Sequence, residues 1–316
     1  MSRSQSALYL SSGEVTSLLS LFPKGLVAVD LETTGLSPLV DKIIEIAAVK
    51  ITTEGVVTSY HQLINPLIEI PAFTIQFHGL TNDHLTEAPT IKKPLKEFWE
   101  FVGRHPMIAH NSTFDLGYLI KSSHDFQIEF PPLDIYDSCR YLRAVYKKTE
   151  TTAPLNFKLS TLSKFFGIEL NHHVAMEDTL ACLKIMARAA DLAADHKLAM
   201  EKSYVFRLSN FNKNDCFNYS TRLDGLKVLV QGKQLVVLDY RGGSSSGLGG
   251  SSLGGSSLGG SRKIRPVRPI GLMPLPKGPV LFAECLLTGM NKSFLLKKIK
   301  SYARLEASYW HPEAKP

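Results

Sequence analysis

The sequence predicts a mixed α/β sheet flanked by helices over residues 22–197 and a small basic β-rich domain over residues 203–316, preceded by an N-terminal segment, 1–21. Three observations carry this. Apolar, β-branched runs come first and then alternate with helical patterns, as a mixed sheet with helical connections requires. A long apolar stripe at helical spacing (Leu180, Leu183, Ile185, Met186, Ala190) closes the first region. A Gly/Ser tract at 242–261 interrupts the second, with β-like runs on both sides of it.

The elements follow in order. Gly25–Glu32, Ile43–Thr52 and Val56–Ile64 are three strands. Leu18–Phe22, just before the first of them, fits an amphipathic helix. Helices are expected at Thr90–Gly103 and Ser112–Lys121, with short strands at Pro106–His110 and Leu133–Asp137. Leu159–Phe166 is a short helix, and Ala175–His196 is the long one. Beyond it, Leu226–Tyr240 reads as two β-rich runs around a Gln-Gly-Lys turn, Lys263–Met273 as extended chain and Val280–Leu287 as a strand. The tract itself repeats an LGGSS unit from Leu248 onward; such composition buries too little apolar surface to offset its ordering entropy.

Composition narrows the function. With 316 residues, 44% hydrophobic and 21% charged, the chain is long enough for two domains and lies near the globular average, which excludes fibrous and wholly disordered classes. No run of about 18 apolar residues is present, so no membrane partner is expected. Residues 1–14 lack a secretory apolar core, and the four cysteines are widely spaced without a CxxC pair, which predicts reduced thiols in a cytoplasmic protein. The net charge of +7 is uneven: residues 262–316 hold 11 Lys and Arg against 3 Glu, whereas residues 1–200 hold 18 against 22 Asp and Glu. A basic tail segment points to a polyanion.

Ligands of open α/β sheets gather at the carboxyl ends of the strands, and that is where the acids fall. Asp30 and Glu32 end the first strand, two residues apart and therefore on one face. Asp115 follows His110-Asn111-Ser112-Thr113-Phe114 at a strand-to-helix junction, and His173 and Asp178 form H-x-x-x-x-D at the start of the long helix. Each pattern alone has an ordinary structural explanation in a frayed strand, a first-turn acid or a loop histidine. Together they are the three motifs of the DEDDh exonucleases. Residues 22–195 resemble the DnaQ-like 3′→5′ exonucleases, relatives of the proofreading epsilon subunit of bacterial DNA polymerase III and of ribonuclease T. Phe73–Thr81 (FTIQFHGLT) is similar to the segment that the family carries between its first two motifs.

The resemblance implies a ribonuclease H-like fold, 3′→5′ hydrolysis of nucleic acid to nucleoside 5′-monophosphates and two divalent cations, Mg²⁺ or Mn²⁺. Two such ions activate water on one side of a phosphodiester and stabilise the leaving oxygen on the other. Hard oxygen donors suit these ions, and four carboxylates balance their charge. Asp30, Glu32 and Asp178 would hold one cation, Asp30 with Asp115 acting directly or through water the second, and His173 would be the general base. Thr33, Thr34, Gly35, Leu36, His78 and Phe114 match positions that line the terminal nucleotide.

The C-terminal part more weakly resembles a WYL domain, an Sm/SH3-like barrel, through Leu238-Asp239-Tyr240, Arg265–Pro269, Leu281–Cys285 and Ser293-Phe294. The W-Y-L triplet itself is absent, with Val280-Leu281-Phe282 in its place. If this part binds nucleic acid, Arg262, Lys263, Arg265 and Arg268 are its phosphate contacts. Leu18–Phe22 and Gln234–Leu238 also match sliding-clamp pentapeptides. Single-stranded 3′ ends are the expected partner, DNA ahead of RNA, in proofreading with a polymerase III alpha subunit or in repair. The alternatives are an exoribonuclease on the same chemistry and a binding protein that uses the nuclease fold as a scaffold.

Overall fold

The computed structural model describes residues 10–149, 151–170, 174–196, 204–211, 216–217, 219–241, 245–246 and 262–306. They form two compact units, one of residues 1–34 and 43–209, the other of residues 35–42 and 210–316.

In the first unit, helix α1 (Ser12–Leu21) is opened by a capping box in which Ser11 and Glu14 satisfy each other's backbone N–H groups. Strands β1 (Leu26–Thr33), β2 (Ile43–Ile51) and β3 (Val57–Leu63) follow as an antiparallel meander. After the helices α2 (Ala72–His78), α3 (Asn82–Leu85) and α4 (Lys92–Val102), β4 (Met107–Ala109) pairs parallel to β1. Helix α5 (Thr113–Asp125) leads to β5 (Asp134–Asp137), parallel to β4, and then come α6 (Ser138–Thr149), α7 (Leu159–Phe166), α8 (Ala175–Asp195) and the antiparallel strand β6 (Tyr204–Arg207). The sheet order is β3-β2-β1-β4-β5-β6, the mixed ribonuclease H-like arrangement that the resemblance implied.

Burial explains the centre of this sheet. Leu26 to Val29 are all but inaccessible, so β1 is covered on both faces and its polar residues are confined to its carboxyl end. Gly25, at φ 75°, immediately precedes the strand, where a Cβ would meet the Ile51 carbonyl oxygen. Leu183, Ile185 and Met186 of α8 are fully buried, each worth about 1.5–3 kcal/mol, in a core shared with Leu18 and Phe22. Among the described residues no helix is long and apolar enough to cross a membrane, and all four cysteines are free and buried.

The second unit holds helix α9 (Asp224–Gln231) and strands β7 (Val236–Arg241), β8 (Ser245–Ser246), β9 (Arg262–Met273), β10 (Val280–Cys285), β11 (Met290–Leu295) and β12 (Ile299–Arg304) in the order β12-β7-β9-β10-β11-β8. Arg241 pairs with Arg262, so the Gly/Ser tract joins two neighbouring strands of one sheet. The core comprises Val236, Leu238, Tyr240, Val267, Leu272, Leu281 and Phe294, together with Leu39, whose backbone N–H donates to the Leu272 carbonyl at 3.3 Å. At Gly271 a Cβ would meet the Leu36 carbonyl oxygen, and only glycine permits so close an approach.

One expected element is corrected. The first half of Leu226–Tyr240 is helix α9 and not a strand. Leu226 and Val230 are buried four residues apart while Val228 is 67% exposed, so the apolar pattern has helical and not alternating period. The β-branched content concealed that period. Helices α2, α3 and α6 and strands β6, β8, β11 and β12 were not anticipated, β8 lying within the Gly/Ser tract expected as coil; in α6, Cys139, Leu142, Val145 and Tyr146 form a buried stripe.

Candidate active site

The carboxyl end of β1 carries Asp30 and Glu32 on one face, and a register shift between Glu32 and Thr33 ends regular pairing there. Helix α8 delivers Asp178 in its first turn, where an acid suits the positive end of the helix. The start of this helix is fixed by Thr179, whose buried hydroxyl donates to the Ala175 carbonyl at 2.8 Å and to the Ala47 carbonyl of β2 at 3.4 Å. Asp30, Glu32 and Asp178 thereby each offer an oxygen within 4.8 Å of the others. Asp30 and Glu32 are partly exposed and Asp178 is buried.

Asp115 arrives from the other side of β1. The turn between β4 and α5 passes through Asn111 at φ 68°, a left-handed conformation that asparagine tolerates. Buried Asp137, at the end of β5, pins this junction by accepting the Ser112 N–H at 2.8 Å and the Arg140 N–H at 3.0 Å. Asp115 is itself 3% exposed.

The electrostatics of the cluster are those of a cation site. Burial, then the charges of Asp115, Asp178, Glu32 and Glu45, hold Asp30 well above the usual carboxylate range. Burial pushes Asp115 up to about 8 against hydrogen bonds from the backbone amides of Asp115 and Leu31, with the Asp137 charge adding to the rise. Carboxylates crowded in this way ionise together only with a compensating cation. The donors that gather here are all carboxylate oxygens. The residues therefore fit Mg²⁺ or Mn²⁺ and not a thiolate-bound metal.

The other expected site residues divide. Thr33 and Thr34 are buried directly after the acids. His78 is 4% exposed, its Nδ1 accepting the Leu80 N–H at 3.0 Å, and Phe114 packs edge-on against Tyr118 at 5.1 Å. Gly35 and Leu36 belong to the second unit, where Leu36 is 51% exposed. His173 lies outside the described residues, as do the side chains of Arg262 and Lys263. Arg265 is partly buried, and Arg268 is paired with Glu284 at 2.6 Å.

The clamp-like pentapeptides are corrected. Leu18 and Phe22 lie in the core beside α8, and Val236 and Leu238 lie in the core of the second unit, so neither run is offered as a free peptide. Sequence reasoning also passed over three residues. Asp137 was read only as the end of a strand, and Glu45 and His61 only as strand positions. An acid in the otherwise apolar Ile43-Ile44-Glu45-Ile46-Ala47 was the available signal.

The family model RNase_T, described as exonuclease, matches residues 27–186. The DNA polymerase III PolC-type of Clostridium perfringens (strain 13 / Type A) is 36% identical over 163 residues, 51% of this chain and 11% of that protein. The PolC-type polymerase of Bacillus subtilis (strain 168) is 33% identical over 171 residues, 54% of this chain and 12% of that protein. The chain thus spans about a tenth of the length of these relatives. Among solved structures, the nuclease domain of 3′hExo, a DEDDh family member, bound to rAMP, is similar at TM-score 0.47 and 17% identity, covering 60% of this chain and 98% of that one.

Proposed function

The chain belongs to the exonuclease family, and from that premise we propose that it removes nucleoside 5′-monophosphates one at a time from DNA 3′ ends. The observation that carries this reading is the gathering of Asp30, Glu32 and Asp178 within 4.8 Å, beside buried Asp115. Asp30, Glu32, Asp115 and Asp178 would hold two divalent cations, Mg²⁺ or Mn²⁺. Bound there, the cations would supply Lewis acidity that favours the attacking water and stabilises the departing 3′-oxygen.

The chain's own residues do the rest. Asp137 and Thr179 fix the two helix starts that carry Asp115 and Asp178, so the acids are ordered before substrate arrives. His173 accepts the proton of the attacking water, which its neutral form can do near pH 7. Thr33, Thr34, Gly35, Leu36, His78 and Phe114 hold the terminal nucleotide. The similarity to PolC-type DNA polymerases supports DNA over RNA and a replicative, proofreading setting alongside a polymerase alpha-type subunit. The second unit is read as a WYL-like basic domain that contacts nucleic acid through Arg262, Lys263 and Arg265.

The test is digestion of 5′-labelled single-stranded DNA and RNA of one sequence with Mg²⁺ or Mn²⁺, an EDTA control and Asp30→Ala as blank. A metal-dependent ladder on DNA, absent in the blank, is the expected result. A ladder on RNA alone moves the protein to RNA processing, and no ladder on either leaves a scaffold.

A further inference from the structure

Glu45 stands on β2 directly opposite Glu32 in the antiparallel register. Residues so paired leave the sheet on the same face with Cβ atoms about 4.5–5.5 Å apart, and like charges there are destabilising. Glu45 is nevertheless 1% exposed. A buried carboxylate persists when opposite charge or a full set of hydrogen bonds compensates it. Glu45 has half a set. His61, diagonal to it on β3, donates from Nε2 to Oε1 at 2.7 Å, and the buried Oε2 has no hydrogen-bond partner.

The arrangement makes no sense as packing. An acid kept only for structure would have both oxygens satisfied and would not face another acid. It makes sense beside a cation, because the charge of Glu45 also falls on Asp30, diagonal to it on the neighbouring strand β1. His61 then has a definite task. By engaging Oε1 it fixes the side-chain orientation, as hydrogen-bonded outer carboxylates and histidines commonly do around metal ligands. Its ring is 46% exposed, so it does not belong to the packed core.

We propose that Glu45 is a fifth carboxylate of the centre, a positioning residue that raises the affinity of the Asp30–Glu32–Asp178 cluster for divalent cations and is itself oriented by His61. The inference rests on the metal-centre reading given above. It adds a residue pair that the five-residue motif pattern does not contain.

The experiment titrates the EDTA-stripped full chain with Mn²⁺ alone, following free Mn²⁺ by electron paramagnetic resonance, and measures Tm with and without the metal. Glu45→Gln keeps the shape and removes the charge. It is expected to weaken Mn²⁺ binding by about 10–100-fold and to shrink the Mn²⁺-induced rise in Tm. The metal-free Tm should hold or increase, because the charge opposite Glu32 is gone. Glu45→Asp should retain more affinity than Glu45→Gln, and His61→Ala should weaken binding by a smaller factor. Wild-type affinity in Glu45→Gln with a lowered metal-free Tm overturns the proposal and makes Glu45 structural. Should Glu45→Gln fail to fold, His61→Ala decides: weaker binding supports the proposal and unchanged binding overturns it. Absence of Mn²⁺ binding by the wild-type chain overturns the metal-centre reading first, and this inference with it.

Discussion

The two units treat charge in opposite ways. In the first, the charges of Asp115, Asp178, Glu32 and Glu45 all bear on Asp30 at the carboxyl end of β1, and His61 meets Glu45. In the second, the net charge is basic, yet the ionic side chains are dispersed and Arg268 is already matched to Glu284 across the β9–β10 pair. Burial makes the difference consequential. Asp115 and Asp178 are 3% and 7% exposed, whereas Arg268 is 58% exposed in its pair. Carboxylates held out of water among other carboxylates create a demand for a cation, and charges in water create almost none. Sign and number of charges are thus poorer guides to a site than the cost of leaving them as they are.

The comparison breaks most visibly if the acids are dispensable. Asp178→Asn should lower kcat by about 10³-fold or more, the several kcal/mol of transition-state stabilisation that a bound cation provides. A variant within tenfold of wild type would show that the cluster is not the reacting centre.

Burial holds Asp115 at about 8, against roughly 3.9 for an unfolded carboxyl. A folded-state value above the unfolded one gives stability that is fully present below about pH 4 and lost as pH rises towards about 8. The EDTA-stripped protein should therefore show a Tm that falls between pH 5 and 8. Asp115→Asn should flatten that fall, and Mn²⁺ should restore stability at the upper end. Equal slopes for variant and wild type would mean that Asp115 ionises freely.

How much of this was legible in the sequence follows the same division. Strands β1, β2 and β4 of the first sheet could be read because buried strands are written as apolar runs, and the acids because their spacing combines three motifs. Glu45 and Asp137 could not, since their roles depend on strand register and on which N–H groups a turn leaves over. The α9 helix was misread because Val228, Leu229 and Val230 look like a strand until one knows which of them faces the core. The close approach of Gly271 to Leu36 joins positions far apart in sequence, and composition records no trace of it.

That approach gives the third expectation. Gly271→Ala places a methyl group against the Leu36 carbonyl oxygen, in backbone that cannot yield as a flexible side chain would. Overpacking of this kind costs about 1–3 kcal/mol, read as a lower midpoint in urea with an unchanged slope. A neutral substitution would show that residues 35–42 are not held by the second unit's core.

The smallest effect sharpens the contrast from the basic side. Arg268 and Glu284 face each other in register at 2.6 Å, with side chains 58% and 31% exposed. Water competes for both, so Arg268→Ala should change stability by no more than about 1 kcal/mol, and less at high salt. The same pairing bears on nucleic-acid binding, because a guanidinium engaged by a carboxylate must give up that partner to meet a phosphate. Arg268→Ala should accordingly leave the salt dependence of single-stranded DNA binding unchanged. A slope smaller by about one phosphate contact would place Arg268 on the nucleic acid in spite of Glu284.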